Sequence, residues 1–339
     1  MKKKQLNQRQ LKRVQQVQDA YAERASRKEA RAEATLQGTE LGAEQRGLVI
    51  SHYGQQLDIE ALEGEASGSI YRCFQRSNLE PLVTGDEVIW QPGDPLGVVV
   101  AGLPRRSVLK RPNNFNELKP VAANIDYIAV VVAPFPEPHY NLIDRYIVAA
   151  ELMGCRPLLV LNKIDLIDDS NRQALSDMMQ LYAGLGYTTL QVSSKKQQGL
   201  AQLQLILSDN NSVFVGQSGV GKSALVNALL PGVNTLEGVL SSGESKGRHT
   251  TTSARLFHMP AGGNLIDSPG IREFGLWHID QTQLLHSFVE FRPFLAGCRF
   301  RDCKHDKEPG CQLRIAVENG AISPQRLASY LFIRSTLGV

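Results

Sequence analysis

The segment Gly216–Ser223, which reads GQSGVGKS, constrains the fold of this chain more than any other stretch. It fits the pattern G-x-x-x-x-G-K-[ST] of a P-loop, in which backbone N–H groups cradle phosphate oxygens. The apolar run SVFV precedes it and ALVNALL follows it, so the pattern predicts a loop between a buried strand and a helix. This context favours a phosphate site over a chance match. Together with alternating strand and helix patterns from about residue 120, it predicts an α/β domain with a mostly parallel sheet.

The P-loop predicts the phosphate and magnesium contacts. Lys222 is expected to reach the β- and γ-phosphates, and Ser223 to bind the Mg²⁺ that accompanies the nucleotide. Asp267, in DSPG, follows the apolar run NLI and is expected to hold the same ion, while the Gly270 N–H contacts the γ-phosphate. The predicted nucleotide-binding residues of the loop are Gly216, Gln217, Ser218, Gly219, Val220, Gly221, Lys222, Ser223 and Ala224.

A polar, threonine-rich segment, residues 241–256, lies between the P-loop and DSPG. One of its threonines is expected to give Mg²⁺ a hydroxyl ligand, and the sequence favours Thr251 over Thr250 without settling the choice. Many GTPases carry a glutamine just after DxxG to orient the attacking water, but Ile271 stands there in this chain. His249, beside the threonines, is the best internal candidate for that catalytic role. A contact between His249 and RNA is the alternative.

The base-reading motif is NKID, which follows the apolar run PLLVL. The Asp165 carboxylate can accept hydrogen bonds from guanine N1–H and the exocyclic amine, which adenine does not offer. Asn162 is expected to support the loop and the purine edge, and the Lys163 stem to pack along the base. Ser193, Ser194 and Lys195 end another predicted strand and suit a loop that touches guanine O6. A lone NKxD fits a surface turn, but with SSK and a P-loop it predicts guanine specificity.

The motifs occur in the order NKID, SSK, GQSGVGKS, threonine-rich segment, DSPG. This is the order of circularly permuted GTPases, in which the usual chain ends are joined and the chain reopens between DxxG and NKxD. Because domain termini often lie close together, such a change leaves the sheet intact. The segment after DSPG then leads directly into the C-terminal part. We therefore expect the γ-phosphate state to be transmitted mechanically to that part.

Short β-rich runs from residue 46 to 112 predict a small OB-fold barrel. Basic side chains interleaved with aromatic ones are typical of a nucleic-acid surface, although a solvated barrel face over core aromatics fits equally well. These residues are Arg72, Arg76, Arg105, Arg106, Lys110 and Arg111, with Tyr71 and Phe74.

Residues 1–45 read as a basic tail and linker, either solvated or ordering on RNA. The predicted boundaries are 1–45, 46–112 for the barrel, 113–278 for the permuted domain and 279–339 for a helical zinc-binding domain.

A cysteine and histidine cluster marks the C-terminal part. Cys298, Cys303, His305 and Cys311 offer three thiolates and one imidazole, a closed tetrahedral set for one structural Zn²⁺. Unligated buried thiols are the alternative. The cations around the cluster would form a basic knob suited to rRNA, and they are Arg299, Arg301, Lys304 and Lys307.

Composition limits the class of protein. The net charge is only +3 in 339 residues, and no apolar run reaches the length of a membrane span. The basic N-terminus lacks the apolar stretch of a signal peptide, so the cytoplasm is the expected compartment. An odd number of cysteines, five, argues against a disulfide scaffold.

The whole chain resembles the RsgA/YjeQ family of bacterial GTPases that depend on the small ribosomal subunit. The motifs SKGRHTTT, DSPGIREFGLW and CRFRDCKHDKEPGC carry the resemblance. It implies an OB-fold N-terminus, a C-terminal zinc site and a role for His249 in hydrolysis. It also implies a role in late maturation of the 30S subunit, with GTP hydrolysis stimulated by that subunit. We expect a monomer whose partners are the subunit, its 16S rRNA and other assembly factors. A GTP-gated RNA-binding scaffold with incidental hydrolysis is the main alternative, and a GTPase acting on tRNA or membranes is another.

Overall fold

The computed structural model describes residues 40–76, 78–112, 117–231, 254–267 and 279–337. These residues divide into two compact units. One contains the described residues up to 48, with 53–82 and 87–103, and the other contains 49–52, 83–86 and the described residues from 104 onward.

Five strands form the barrel: β1 (Gln45–Tyr53), β2 (Gln56–Ala61), β3 (Ile70–Gln75), β4 (Glu87–Gln91) and β5 (Gly97–Gly102). They pair in the order β1-β2-β3-β5-β4, and β4 pairs back with β1 to close the barrel. In β2, Leu57, Ile59 and Ala61 alternate with more exposed residues and are fully buried. This alternation fills the barrel interior from one face of each strand. The predicted OB-type barrel is confirmed.

Internal contacts occupy part of the face on which the sequence placed a nucleic-acid surface. Arg72 Nε donates to Asp58 Oδ1 at 2.6 Å, across the β2–β3 pair. Phe74 is 3% exposed and belongs to the barrel core, while the Tyr71 ring packs 5.0 Å from that of Trp90. For these residues, core aromatics under a solvated face explain the pattern.

A separate two-stranded hairpin belongs to the second unit. Its strands are β6 (Val108–Pro112) and β7 (Leu118–Ala123), so the run RSVLKRP, which the sequence placed with the barrel, forms this hairpin instead. Just before it, Arg105 makes two hydrogen bonds of 2.6 Å to the buried Asp86. Arg105 therefore serves an internal ion pair, whereas Lys110 and Arg111 are exposed on β6.

The α/β part contains β8 (Tyr127–Val132), β9 (Arg156–Leu161), β10 (Thr188–Gln191), β11 (Asn211–Val215), β12 (Arg255–His258) and β13 (Asn264–Asp267). Their order is β10-β9-β8-β11-β13-β12, and only β12 among them pairs antiparallel. Its helices are α1 (Tyr140–Met153), α2 (Arg172–Gly184), α3 (Leu200–Leu207) and α4 (Lys222–Leu229). Although β11 is fourth of these strands along the chain, it lies between β8 and β13. The P-loop strand therefore lies inside a mostly parallel sheet.

The C-terminal part is helical: α5 (Gln281–Ser287), a 3-10 helix (Val289–Gly297), α6 (Gln312–Glu318) and α7 (Pro324–Thr336). Asp280 begins α5 with a capping box to Gln283. Phe288, Phe291 and Tyr330 lie at the centre of its core, which also includes Val148 of α1. Across the described ranges, none of the helices combines the length and apolar character needed to cross a bilayer.

Candidate nucleotide site and metal centre

Four of the predicted motifs lie at the carboxyl ends of parallel strands. NKID follows β9, SSK comes shortly after β10, the P-loop follows β11, and Asp267 is the last residue of β13. In α/β sheets, ligands bind at this edge. The parallel pairings of β10, β9, β8, β11 and β13 bring the four motifs to that one edge.

The P-loop backbone requires glycine at particular positions. Gly216 has φ +137° and Gly221 has φ +92°, a region that other residues seldom adopt. A β-carbon on Gly216 would overlap the Val131 carbonyl oxygen, and one on Gly221 would lie 2.5 Å from Asn162 Nδ2. The glycines therefore allow both the turn and the close approach of NKID.

Lys222 begins α4, and its ammonium folds back onto the loop. Its Nζ donates to the Gly216 and Gln217 carbonyl oxygens at 2.7 and 2.8 Å. Ser223 is the second residue of the same helix. The positive end of the helix dipole, the Lys222 charge and the loop N–H groups together favour an anion.

Asn162 joins three motifs through its buried side chain. Its Nδ2 donates to the Val220 carbonyl oxygen at 3.0 Å and to that of Gly221 at 3.4 Å, and its Oδ1 accepts from Ser194 N at 3.3 Å. Because Asn162 is fully buried, these bonds replace water contacts that it would otherwise make. The P-loop, NKID and SSK are thereby held as one unit.

Lys163 adds a second link, which the sequence did not predict. Its Nζ donates to the Gly219 carbonyl oxygen at 2.5 Å and to that of Phe135 at 3.3 Å. The backbone of Lys163 is left-handed, with φ +59°. The ammonium therefore ties NKID to the P-loop, and the expected packing of its stem along a base remains a prediction.

Asp165 is held in position by Ser193. The Ser193 hydroxyl donates to Asp165 Oδ1 at 2.5 Å and accepts from Lys196 N at 3.1 Å. This hydrogen bond lowers the pKa of Asp165, and Lys195 and Lys196 lower it further. The half-buried carboxylate is therefore ionised and can accept hydrogen bonds from a purine edge.

Several predicted residues lie outside the described part of the chain. They are His249, Thr250, Thr251, Gly270 and Ile271. The other predicted magnesium ligands are described: Ser223 in α4, and Asp267, which is 7% exposed.

The four predicted zinc ligands come together. One ligand atom from each of Cys298, Cys303, His305 and Cys311 lies within 4.8 Å of all the others. His305 Nδ1 is 3.6 Å from Cys298 Sγ and 3.5 Å from Cys311 Sγ. Tetrahedral zinc has bonds of about 2.3 Å to sulfur and about 2.0 Å to nitrogen, which places such atoms about 3.5 Å apart. The residues therefore fit the metal.

The surroundings of the cluster also suit a metal. Burial lowers the pKa of His305, so the ring is neutral and has a lone pair to give. Gln312 N donates to Cys298 Sγ at 3.4 Å, the kind of outer hydrogen bond that orients a ligand. Glu308 accepts from the backbone N–H groups of Lys304, Asp306 and Lys307 and so holds the loop around His305. All four cations of the predicted knob are exposed.

The family model described as RsgA GTPase matches residues 102–277. A protein of Ectopseudomonas mendocina named "Small ribosomal subunit biogenesis GTPase RsgA" is 56% identical over 99% of this chain and 98% of its own length. One of the same name from Hahella chejuensis is 55% identical over 99% of this chain and 97% of its own. The chain belongs to the RsgA GTPase family.

Solved structures agree with membership of the RsgA family. YjeQ from Thermotoga maritima is 31% identical, with a TM-score of 0.72 over 87% of this chain and 99% of that one. YloQ, described as a circularly permuted GTPase, is 28% identical, with a TM-score of 0.69 over 86% and 94%. The predicted family, the permuted fold and the enzyme class, a GTPase, are confirmed.

Sequence reasoning about the RsgA motifs missed the packing of α1 next to the P-loop. A small pocket lies between the P-loop and α1. Gly216, Gln217 and Val220 line one side, and Ile143 and Tyr146 of α1 line the other. No sequence motif marks α1, because its contribution is shape rather than chemistry.

Proposed function

We propose that this chain hydrolyses GTP to GDP and phosphate in the cytoplasm during biogenesis of the small ribosomal subunit, and that the subunit stimulates hydrolysis. The observation that carries the proposal is the position of Asn162, whose side chain bonds to both the P-loop and SSK. A guanine reader and a phosphate cradle joined in this way suit one GTP. The relatives' printed name supports the role in subunit biogenesis.

In this proposal the protein contacts the nucleotide at its guanine base and at its phosphates. Asp165 accepts from the guanine N1–H and amine, and the loop of Ser193, Ser194 and Lys195 contacts guanine O6. Lys222 and the N–H groups of residues 216–224 bind the phosphates. The left-handed backbone of Gly216 and Gly221 supports this role, because it shapes the loop to surround an anion.

Hydrolysis needs a metal and a positioned water. Ser223, Thr251 and Asp267 would hold Mg²⁺, which would neutralise charge that develops between the β- and γ-phosphates. The Gly270 N–H would contact the γ-phosphate. His249 would orient the water, because imidazole can accept its proton and Ile271 cannot.

The C-terminal cluster would hold one structural Zn²⁺ through Cys298, Cys303, His305 and Cys311. The match of the sulfur–nitrogen distances to a tetrahedral site supports zinc. The four exposed cations around it would contact phosphates of 16S rRNA, because such contacts release counterions and need no base sequence.

Co-sedimentation with purified subunits tests the partner. The chain with a non-hydrolysable GTP analogue should pellet with small subunits and remain in the supernatant with large ones. Added salt should weaken that binding steeply if the basic knob contacts rRNA phosphates. Equal binding to both subunits, or binding to neither, would contradict the proposed partner.

A further inference from the structure

An ion cluster is buried between the α/β part and the C-terminal helices. Arg326 of α7 and Asp144 of α1 both have fully buried side chains, and Arg326 Nη1 donates to Asp144 Oδ1 at 2.5 Å. On its other edge, the guanidinium donates from Nε and Nη2 to the two oxygens of Glu290, at 2.6 and 3.1 Å. One guanidinium thus joins three segments of the chain.

The surroundings leave this cluster little freedom. The Tyr182 hydroxyl of α2 donates to Asp144 Oδ1 at 2.6 Å, and the Phe288 ring lies 4.3 Å from the guanidinium carbon. Burial lowers the pKa of Arg326, but the carboxylates of Asp144 and Glu290 raise it to a net value above the ordinary one. The guanidinium is therefore charged, with carboxylates in fixed directions.

A buried cluster of this kind adds little net stability, since desolvation offsets much of the attraction. Its best-supported effect is to select one arrangement of the packed segments. Apolar side chains alone, such as Val148 and Phe288, tolerate small shifts of one helix over another. The forked guanidinium of Arg326 does not tolerate such shifts, because moving α7 relative to α1 would leave a buried charge without its partner.

Helix α1 connects this cluster to the nucleotide site. Asp144 bonds to Arg326, while its neighbours Ile143 and Tyr146 are buried and line a small pocket between α1 and the P-loop. The loop before α1 carries Phe135, whose carbonyl oxygen accepts from Lys163, and Lys163 also bonds to Gly219. The position of α1 therefore affects the packing of the P-loop and one contact of the NKID motif.

We propose that Arg326 is a positioning residue for the nucleotide site: its bond to Asp144 fixes α1 against α7, and its bonds to Glu290 fix α7 against the 3-10 helix. The inference rests on the proposed GTP site. Because coupling between two sites is reciprocal, nucleotide binding stabilises α7 and the 3-10 helix, which carry the cluster, and loss of the cluster weakens nucleotide binding.

The test uses one disrupted and one neutralised variant of the full-length chain. Arg326→Met leaves two carboxylates buried without their cation, so we expect this variant to be strongly destabilised. The triple variant Asp144→Asn, Glu290→Gln, Arg326→Met removes all three charges at similar volume and is expected to fold. The matched control is Arg292→Met, because Arg292 bonds to Glu151 between the same 3-10 helix and α1, but at the surface and at 3.4 Å.

We expect the triple variant to bind GDP about tenfold more weakly than the wild type, within the usual range of coupling between sites. The Arg292→Met variant should bind GDP like the wild type. Unchanged GDP affinity in a folded triple variant would overturn the inference while leaving the GTP site intact. Failure of the wild type itself to bind GDP would overturn the proposed function and this inference together.

Hydrogen exchange in the wild type decides the question even if the variants do not fold. Saturating GDP should slow exchange of the α7 amides, which lie outside the nucleotide site. The α6 amides serve as a reference, because α6 contributes no group to the cluster. Exchange in α7 that does not respond to GDP would overturn the inference.

Discussion

Ser193 Oγ lies 2.5 Å from Asp165 Oδ1, so the hydroxyl of the SSK motif donates directly to the carboxylate of NKID. The two residues are 28 positions apart and follow neighbouring strands of the sheet. The bond both aims the carboxylate and favours its charged form. In the proposed site, recognition of guanine by Asp165 would therefore depend on the Ser193 hydroxyl.

Replacement of Ser193 by alanine should shift the pH dependence of GTP affinity. The folded pKa of Asp165 is lowered, chiefly by the Ser193 hydroxyl, so affinity that needs the carboxylate is lost only as pH falls through that lowered value. Without the hydroxyl the pKa rises toward its ordinary value, and the loss begins at higher pH. Titrations of a GTP analogue over a pH series measure the difference between variant and wild type.

The matched control for that titration is Ser170→Ala. The Ser170 hydroxyl donates to Asp168 Oδ1 at the same distance, 2.5 Å, and lowers the pKa of Asp168. Asp168 has no proposed contact with nucleotide, so the control should follow the wild-type curve. Coincident curves for Ser193→Ala and wild type would show that the hydroxyl does not tune the base reader.

Asp165→Asn should weaken GTP binding and favour xanthosine triphosphate. The amide donates a hydrogen bond where the carboxylate accepted one, and xanthine offers an oxygen at the position of the guanine amine. Loss of a hydrogen bond to a charged group costs roughly 1.5–3 kcal/mol. Parallel titrations with the two nucleotides measure the exchange, and an unchanged GTP dissociation constant would remove Asp165 from the base reader.

The metal centre should contain about one zinc ion per chain, since its ligands form a closed set. Cys303→Ser should reduce the zinc content and the helical signal of the C-terminal part. The control is Cys155→Ser, because Cys155 is buried elsewhere and its thiol donates to the Ile125 carbonyl oxygen, as a serine hydroxyl can. Elemental analysis decides the matter: freshly purified protein without zinc would rule out the site.

His249→Ala should lower the maximal rate of subunit-stimulated hydrolysis by roughly 10²–10⁴-fold, the usual contribution of a positioned acid–base group. A rate measured across a subunit titration separates catalysis from RNA binding. A depressed plateau supports catalysis, whereas a shifted midpoint with a normal plateau assigns His249 to rRNA contact. The control is His258→Ala. His258 bonds to Asn264 at the start of β13, whereas the predicted magnesium ligand Asp267 is at the end of that strand.

The sequence predicted the nucleotide motifs because their chemistry restricts the residue types. Gly216 and Gly221 must be glycine for their backbone, and NKID, the P-loop and DSPG each follow an apolar run that forms a mostly buried strand. The end of α1 was also predictable, since Gly154 adopts the left-handed conformation that ends a helix. These signals are local, so no partner elsewhere in the chain is needed to recognise them.

Other features were not predictable because they depend on distant partners. Arg326 bonds to residues 36 and 182 positions away, and nothing local marks it as buried. The sequence grouped Arg105 with the cations of a predicted surface. In the structure it instead forms an ion pair with the buried Asp86. Phe74 fits both a core position and a stacking platform in the alternating pattern, and only the closed barrel decides between them.

Steady-state GTP hydrolysis with increasing small subunit tests the central claim most directly. Wild type should turn over slowly alone and much faster with small subunits, but not with large ones. Lys222→Ala should stay at the background rate throughout, because its ammonium no longer reaches the phosphates. A wild-type rate that does not respond to small subunits would contradict the account and favour a GTP-gated scaffold with incidental hydrolysis.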